Sequence, residues 1–246
     1  MLGFGTHRAA RRTFRALLGG HGAAPTPLAR LLAEPAAIAV WDVTDRATLR
    51  QDAGGAVPVA ADGQPVGRVA DLKGVLHFVA PSNSQRPLSP ARFDGSGDEW
   101  RLAFSDDTRL ARGDFIIAYR GTDQKGILLP SLPNVPFEGV WDAGDPGPAV
   151  SAGSSMEDLI VDDISFRAAT RGQLASAVAD GAVHVVELIG VVFSDYTGLR
   201  LGNRTNFEIS GQLAPVAYLD GSSLEIASAR QAARSFAQEV AARLPG

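Results

Sequence analysis

The chain has 246 residues, 45% of them hydrophobic, with 27 glycines, 15 prolines and no cysteine. That length can bury a sizeable core, and the missing cysteines exclude disulfides, thiolate metal ligands and cysteine nucleophiles. A formal net charge of −4 argues against nucleic acid as a partner of the whole molecule, and no apolar run approaches the ~18 residues of a membrane span.

Charge is unevenly placed. Arg8, Arg11, Arg12, Arg15 and Arg30 all precede the first acidic residue, Glu34, so a basic arm leads an acidic body, a pattern of interaction tails. THRAARRTFRALL, residues 6–18, predicts a short basic helix with Thr6 as N-cap and Phe14, Leu17 and Leu18 on one side. RRTFRALL has the look of a twin-arginine leader. The following GGHGAAPTPLAR is a poor apolar region for an export signal, so a docked arm is expected instead. Phe4, Arg8, Arg11, Arg12, Phe14 and Arg15 are its docking candidates. The arginines suit bidentate pairing with carboxylates, and the phenylalanines suit apolar anchoring. LARLLAEP adds a helical turn before Pro35, and residues 1–36 read as arm and linker.

From Ile38 the pattern becomes strand-like and punctuated. AIAVWDV is a short strand, followed by brief extended pieces between turns at Gly54-Gly55, Asp62-Gly63 and Lys73-Gly74. VLHFVA resumes a strand, PSNSQRPLSP is a long turn, and ARFDGSGDEWRLAF reads as strand, turn, strand. DFIIAYRG and HVVELIGVVF are continuous apolar runs that predict buried strands. Residues 121–157 carry five prolines, among glycines and aspartates, and read as a long irregular region of the kind that often holds binding loops. DLIVDDISF is taken as one strand, and LRLG with SGQLAPVAYLDG as a last pair. Ser228-x-x-Gln231 predicts a capping box for a C-terminal helix that buries Ala229, Ala233, Phe236, Val240 and Leu244.

Candidate chemistry is scattered. Asp94, Ser96 and Asp98 alternate as in a calcium loop but lack its glycine and distant bidentate glutamate, so a tight Asp/Gly turn is preferred and no metal is expected. Asp158 and Asp162, placed on one face of a strand, have the make-up of a glycosidase pair, against the plainer reading of a solvated strand end. His77, His184 and Glu187 stand alone in strand-like runs, and a lone histidine there is expected to be a satisfied core or edge residue. Trp141, Asp142 and Asp145 in the irregular region are the glycan-contact candidates, because a sugar site combines an aromatic face with polar acceptors. A tryptophan packed against a neighbouring subunit is the competing reading.

The succession Trp41-Asp42, Thr48-Leu49, Gln51-Asp52, Pro58-Val59, Gly63-Gln64-Pro65-Val66-Gly67, Asp71, Gly74, Arg86-Pro87 and Phe93-Asp94-Gly95 resembles the opening of concanavalin A-like (laminin G-like) jelly-roll domains of tailed-phage and gene transfer agent structural proteins. LRLG and the segment from Ser210 to Leu244 resemble their closing strand and helix. The likeness covers roughly residues 38–110 and 198–244. It implies an all-β fold, a concanavalin A-like jelly-roll sandwich at 37–246 with an N-terminal basic helical arm and a C-terminal helix. It further implies a virion structural protein, a tail fibre or head spike component assembled in the bacterial cytoplasm and docked on the particle by its arm. The expected partners are other virion structural proteins, further copies of the chain in a homo-oligomer (a trimer by analogy) and host surface polysaccharide. No cofactor, no catalytic residue, no nucleic acid and no membrane insertion are expected. A glycan-active hydrolase or lyase on the same fold is the alternative, and a free carbohydrate-binding module is a third reading.

Overall fold

The structure, a computed structural model, describes residues 24–129, 131–132, 138–150, 156–193, 196–202 and 209–245. The predicted helix at 6–18 and its six docking candidates therefore lie outside the described residues.

The first described element is helix α1 (Pro27–Ala33), which starts where Thr26 Oγ1 accepts the Ala29 N–H at 3.2 Å and Pro27 occupies the first turn. Next come strands β1 (Ala37–Val40), β2 (Leu49–Arg50), β3 (Arg68–Val69), β4 (Phe78–Val79), β5 (Arg92–Asp94), β6 (Trp100–Ala103) and β7 (Arg112–Gly121). They are followed by β8 (Lys125–Leu129), β9 (Ser131–Leu132), β10 (Glu138–Asp142), β11 (Asp158–Val161) and β12 (Ile164–Ser165). Helix α2 (Arg171–Val178), strands β13 (Val183–Val192), β14 (Gly198–Leu201) and β15 (Ser210–Asp220), and helix α3 (Ile226–Arg243) complete the chain.

All strand pairs are antiparallel. One sheet has the order β1-β15-β7-β13-β11-β12, with β5 also on β15; a second runs β2-β3-β4-β6-β14-β9; β10 and β8 form a two-stranded ribbon. The protein is thus mostly β, as the strand-like runs from Ile38 onward predict. The two large sheets face each other across an aromatic core. Phe115 of β7 meets Trp41 and Phe78 at ring-centroid distances of 5.9 and 6.3 Å, and Phe193 meets Phe104 and Tyr218 at 5.7 and 5.1 Å. Each of the three tryptophans is fully buried, and each indole N–H donates to a backbone carbonyl: Trp41 to Leu76, Trp100 to Val66 and Trp141 to Asp123. Helix α3 covers the other face of the first sheet, resting on β15, β7 and β13. Ala229, Ala232, Ala233, Phe236, Ala237 and Val240 are buried there, the face that its 3.6-residue spacing predicts.

Residues of the Trp41–Gly95 succession hold the early loops together. Asp71 is buried and its carboxylate accepts four backbone N–H groups, from Val40, Lys73, Val75 and Leu76. Asp52 closes its turn on Ala56 and Val57. Thr48 Oγ1 bonds the carbonyls of Asp42 and Asp45, Gln51 reaches the Pro58 carbonyl, and Arg86 donates to the Gln51 carbonyl. Gly67 is required by proximity, since a Cβ there would lie 2.5 Å from the Gln51 oxygen.

Several expectations are corrected. Residues 27–36 are not linker: Leu31 is fully buried, and α1 packs on α3 and β1. Residues 121–157 hold β8, β9 and β10. DLIVDDISF is a hairpin, with Asp162 and Asp163 at φ 46° and 69° as its two-residue turn, the backbone that matches strand twist in tight hairpins. Asp158 and Asp162 therefore share no strand face. LRLG (β14) and the SGQLAPVAYLDG strand (β15) belong to different sheets. Ser228 does not cap α3; the helix begins at Ile226, and Ser228 Oγ lies 2.9 Å from Glu34 Oε2 and 3.0 Å from the Glu225 carbonyl, tying α3 to the end of α1.

Candidate functional site

The Trp141 ring is buried against Tyr119, centroids 5.4 Å apart, and over Gly126, where a Cβ would collide with the indole. It offers no face for a sugar to stack on, so the ring serves packing within the chain. Asp142 and Asp145 do lie beside each other in sequence and space at the end of β10. Asp142 pairs with Lys125 at 3.4 Å and accepts the Gly144 N–H. Asp145 accepts the Gly147 N–H and pairs with Arg171 of α2 at 2.6 Å; these two donors hold its carboxyl below the ordinary aspartate value. Both carboxylates thus organise the β10–α2 connection.

Asp94, Ser96 and Asp98 form a turn. Asp94 Oδ1 accepts the Ser96 N–H and Asp98 Oδ2 accepts the Asp94 N–H, with Gly95 and Gly97 at positive φ. Burial pushes the Asp98 carboxyl up. Among the described residues no group of three or more His, Asp or Glu side chains is arranged to hold a metal.

The densest ionic arrangement lies under α3, where a row of arginines meets carboxylates buried in the first sheet. Arg230 grips Asp114, Arg234 Nε donates to Glu187 at 2.7 Å while its Nη1 lies 2.8 Å from Asp163, and Arg243 reaches Asp42 at 3.1 Å. Asp114, Glu187 and Asp42 are all at most 3% exposed, so each needs its guanidinium. The sequence reading had Glu187 as an isolated break in an apolar run; its partner is 47 residues away. Nothing in local spacing announces such a pair.

His184 is likewise not alone. Its Nδ1 lies 2.7 Å from Asp162 Oδ2 and its Nε2 2.8 Å from Asp180 Oδ1, bridging the β11–β12 turn to the segment before β13. Burial alone would lower its pKa, but the two carboxylates outweigh it and hold the ring above the ordinary histidine value. This is the satisfied histidine expected from the sequence. His77 differs: burial, aided by Arg68, pushes it down, and its Nδ1 accepts the Asp71 N–H, which fits a neutral ring.

Two clefts flank this layer. One, of about 180 Å³, is lined by Asp162, Asp163, Glu187, Arg234 and Gln238 over Val183, Val185 and Ala241. The other, of about 390 Å³, lies near the far end of α3 among Thr44, Arg46, Asp62, Ser89 and Arg243. In the first, Glu187 Oε2 is buried with no hydrogen-bond partner among the described residues. Among the described residues no helix is long and apolar enough to cross a membrane.

Comparison with protein families, with curated proteins and with solved structures finds no match to this chain.

Proposed function

We propose that this chain is a structural component of a virion or virion-like particle, a non-enzymatic β-sandwich of concanavalin A-like jelly-roll type that docks by its basic N-terminal segment and projects its body outward. The observation that supports this reading is the use made of the Trp41–Gly95 succession. Thr48, Gln51, Asp52, Asp71 and Arg86 each bind neighbouring backbone, which stiffens a scaffold and leaves these side chains no part in a reaction. The antiparallel sheets, with β1 and β15 side by side as the first and last strands among the described residues, are compatible with a jelly roll. Phe4, Arg8, Arg11, Arg12, Phe14 and Arg15 are the docking residues of the proposal, and self-association as a trimer with contact to host surface polysaccharide belongs to the same reading. With Trp141 buried, that ring takes no part in the contact.

The test compares the full chain with a chain beginning at Ala24, which keeps α1 and every other described element. Both are measured by light scattering and incubated with particles assembled without this protein. Binding of the full chain alone supports an arm-docked particle component. Equal binding of both moves docking to the sandwich, and binding of neither overturns the particle reading.

A further inference from the structure

The cleft beside Glu187 has the make-up of a binding site in its own right. Its floor is apolar, from Val183, Val185 and Ala241, and its wall carries three carboxylates, Asp162, Asp163 and Glu187, against one guanidinium, Arg234. That guanidinium is already engaged, with Nε on Glu187 Oε1 and Nη1 on Asp163 Oδ1, which argues against an anionic guest. Asp162 is engaged on the opposite side by His184 through Oδ2, while its Oδ1 accepts the Val185 N–H.

Glu187 is the informative residue. It is only 1% exposed, and while Oε1 has Arg234, Oε2 has no donor among the described residues. A buried carboxylate oxygen without a donor is costly, and buried polar atoms lacking partners are uncommon in folded proteins. A partner for Oε2 has to be a donor, and the adjoining cleft, of about 180 Å³, has room for a small one. A divalent metal fits poorly, since Arg234 stands among the carboxylates and brings its own positive charge. An ammonium group fits the excess of carboxylates and the orphan acceptor, and a short hydrocarbon stem fits the valine floor.

We propose that this cleft binds a small primary amine, whose ammonium group donates to Glu187 Oε2 and whose aliphatic stem lies on Val183 and Val185. The proposal stands apart from the particle reading and holds or fails without it.

The experiment titrates the ¹⁵N-labelled full chain with n-butylamine hydrochloride at neutral pH, with n-butanol and tetramethylammonium chloride as matched controls. Saturable shifts confined to Val183, Val185, Glu187 and the Gln238 side-chain amide are expected with butylamine, and at least tenfold weaker effects with either control. Glu187→Gln keeps the shape and removes the charge, and it is expected to weaken butylamine binding at least tenfold. Should that variant fold poorly, Asp163→Asn tests the same field from an exposed position (63% side-chain exposure), with a several-fold loss expected. Nα-acetyl-lysine amide in a parallel titration shows whether the amine is taken free or on a peptide; binding there at the same residues extends the proposal to lysine side chains, and its failure restricts it to free amines. Absence of saturable shifts at these residues, butanol binding as well as butylamine, or unchanged binding in the folded variants would overturn it.

Discussion

Arg230 of α3 and Asp114 of β7 meet fork to fork, with Nε on Oδ2 and Nη2 3.1 Å from Oδ1, while Oδ1 also accepts the Gly190 N–H at 2.8 Å. Asp114 is fully buried, so this pair fixes both the position of α3 and the bulge at Gly190, where φ is 66° and the β13–β7 register shifts. Replacing Arg230 by Met leaves a buried carboxylate with a single amide donor. The expected loss is about 3–5 kcal/mol, read from urea denaturation midpoints. Combining it with Asp114→Asn removes the stranded charge and is expected to recover a large part of that loss. Equal stability of Arg230→Met and the parent chain would contradict this account.

Asp71 carries the early loops on one carboxylate. Asp71→Ala orphans four backbone N–H groups and is expected to cost about 3 kcal/mol or more, whereas Asp71→Asn keeps one acceptor oxygen and costs less. Hydrogen exchange at Val40, Val75 and Leu76 should accelerate in the alanine variant before exchange in β13 does.

The His184 cluster sets a pH dependence of defined sign. The histidine's folded pKa is raised above 6.5, where burial is outweighed by Asp162 and Asp180. Its contribution is therefore fully present below pH 6.5 and disappears as pH rises through the folded value. Asp180 is lowered from 3.8, first by its bond to His184, so its contribution is present above 3.8 and disappears as pH falls through its folded value. Thermal unfolding against pH should show the cluster most stabilising between those limits, and His184→Asn should remove the loss on the alkaline side. An NMR titration of the ring with a midpoint below 6.5 would refute the assignment.

Helix α1 is part of the domain. A chain beginning at Ala24 retains it and is the reference for urea unfolding. One beginning at Pro35 loses the fully buried Leu31 and should be less stable by about 1.5–3 kcal/mol from that side chain alone.

The three buried tryptophans predict a blue-shifted emission with weak acrylamide quenching in the native state. Addition of a polysaccharide should leave that emission unchanged even where binding occurs, since no tryptophan face is open to it. A ligand-induced shift of the emission maximum, traced to Trp141 by Trp141→Phe, would show that this ring becomes exposed.

Long apolar runs were the most legible part of the sequence. DFIIAYRG lies within β7, and HVVELIGVVF up to its last residue lies within β13; these adjacent strands are buried on both faces, because a strand covered by a sheet on one side and a helix on the other has no polar face to alternate. Asp71, Gly67 and the other motif residues were legible as punctuation. The Asp162-Asp163 turn was not, because two aspartates at positive φ lack the glycine that usually marks such a hairpin. Helix α2 is short, but its capping box, Thr170 with Gln173, was there to be read. The similar Ser228-x-x-Gln231 misled, because Glu34 draws that serine into a contact between helices. The ionic layer was illegible for a different reason: Arg230 and Asp114 are 116 residues apart, and charge pairs across such distances leave no periodicity.

The position of β15 governs when this protein can fold. Ser210–Asp220 is the strand on which β1, β5 and β7 all pair, yet it is made after all three. Until it emerges, β1 lacks the strand it pairs with in the sheet, and the aromatic side chains of Trp41 and Phe115 wait for a sheet that cannot close. Closure of the sheets therefore waits for β15, is dominated by contacts distant in sequence and is slow for its size, with unpaired edges exposed meanwhile. Loss of β15 deprives β1, β5 and β7 of the strand they share.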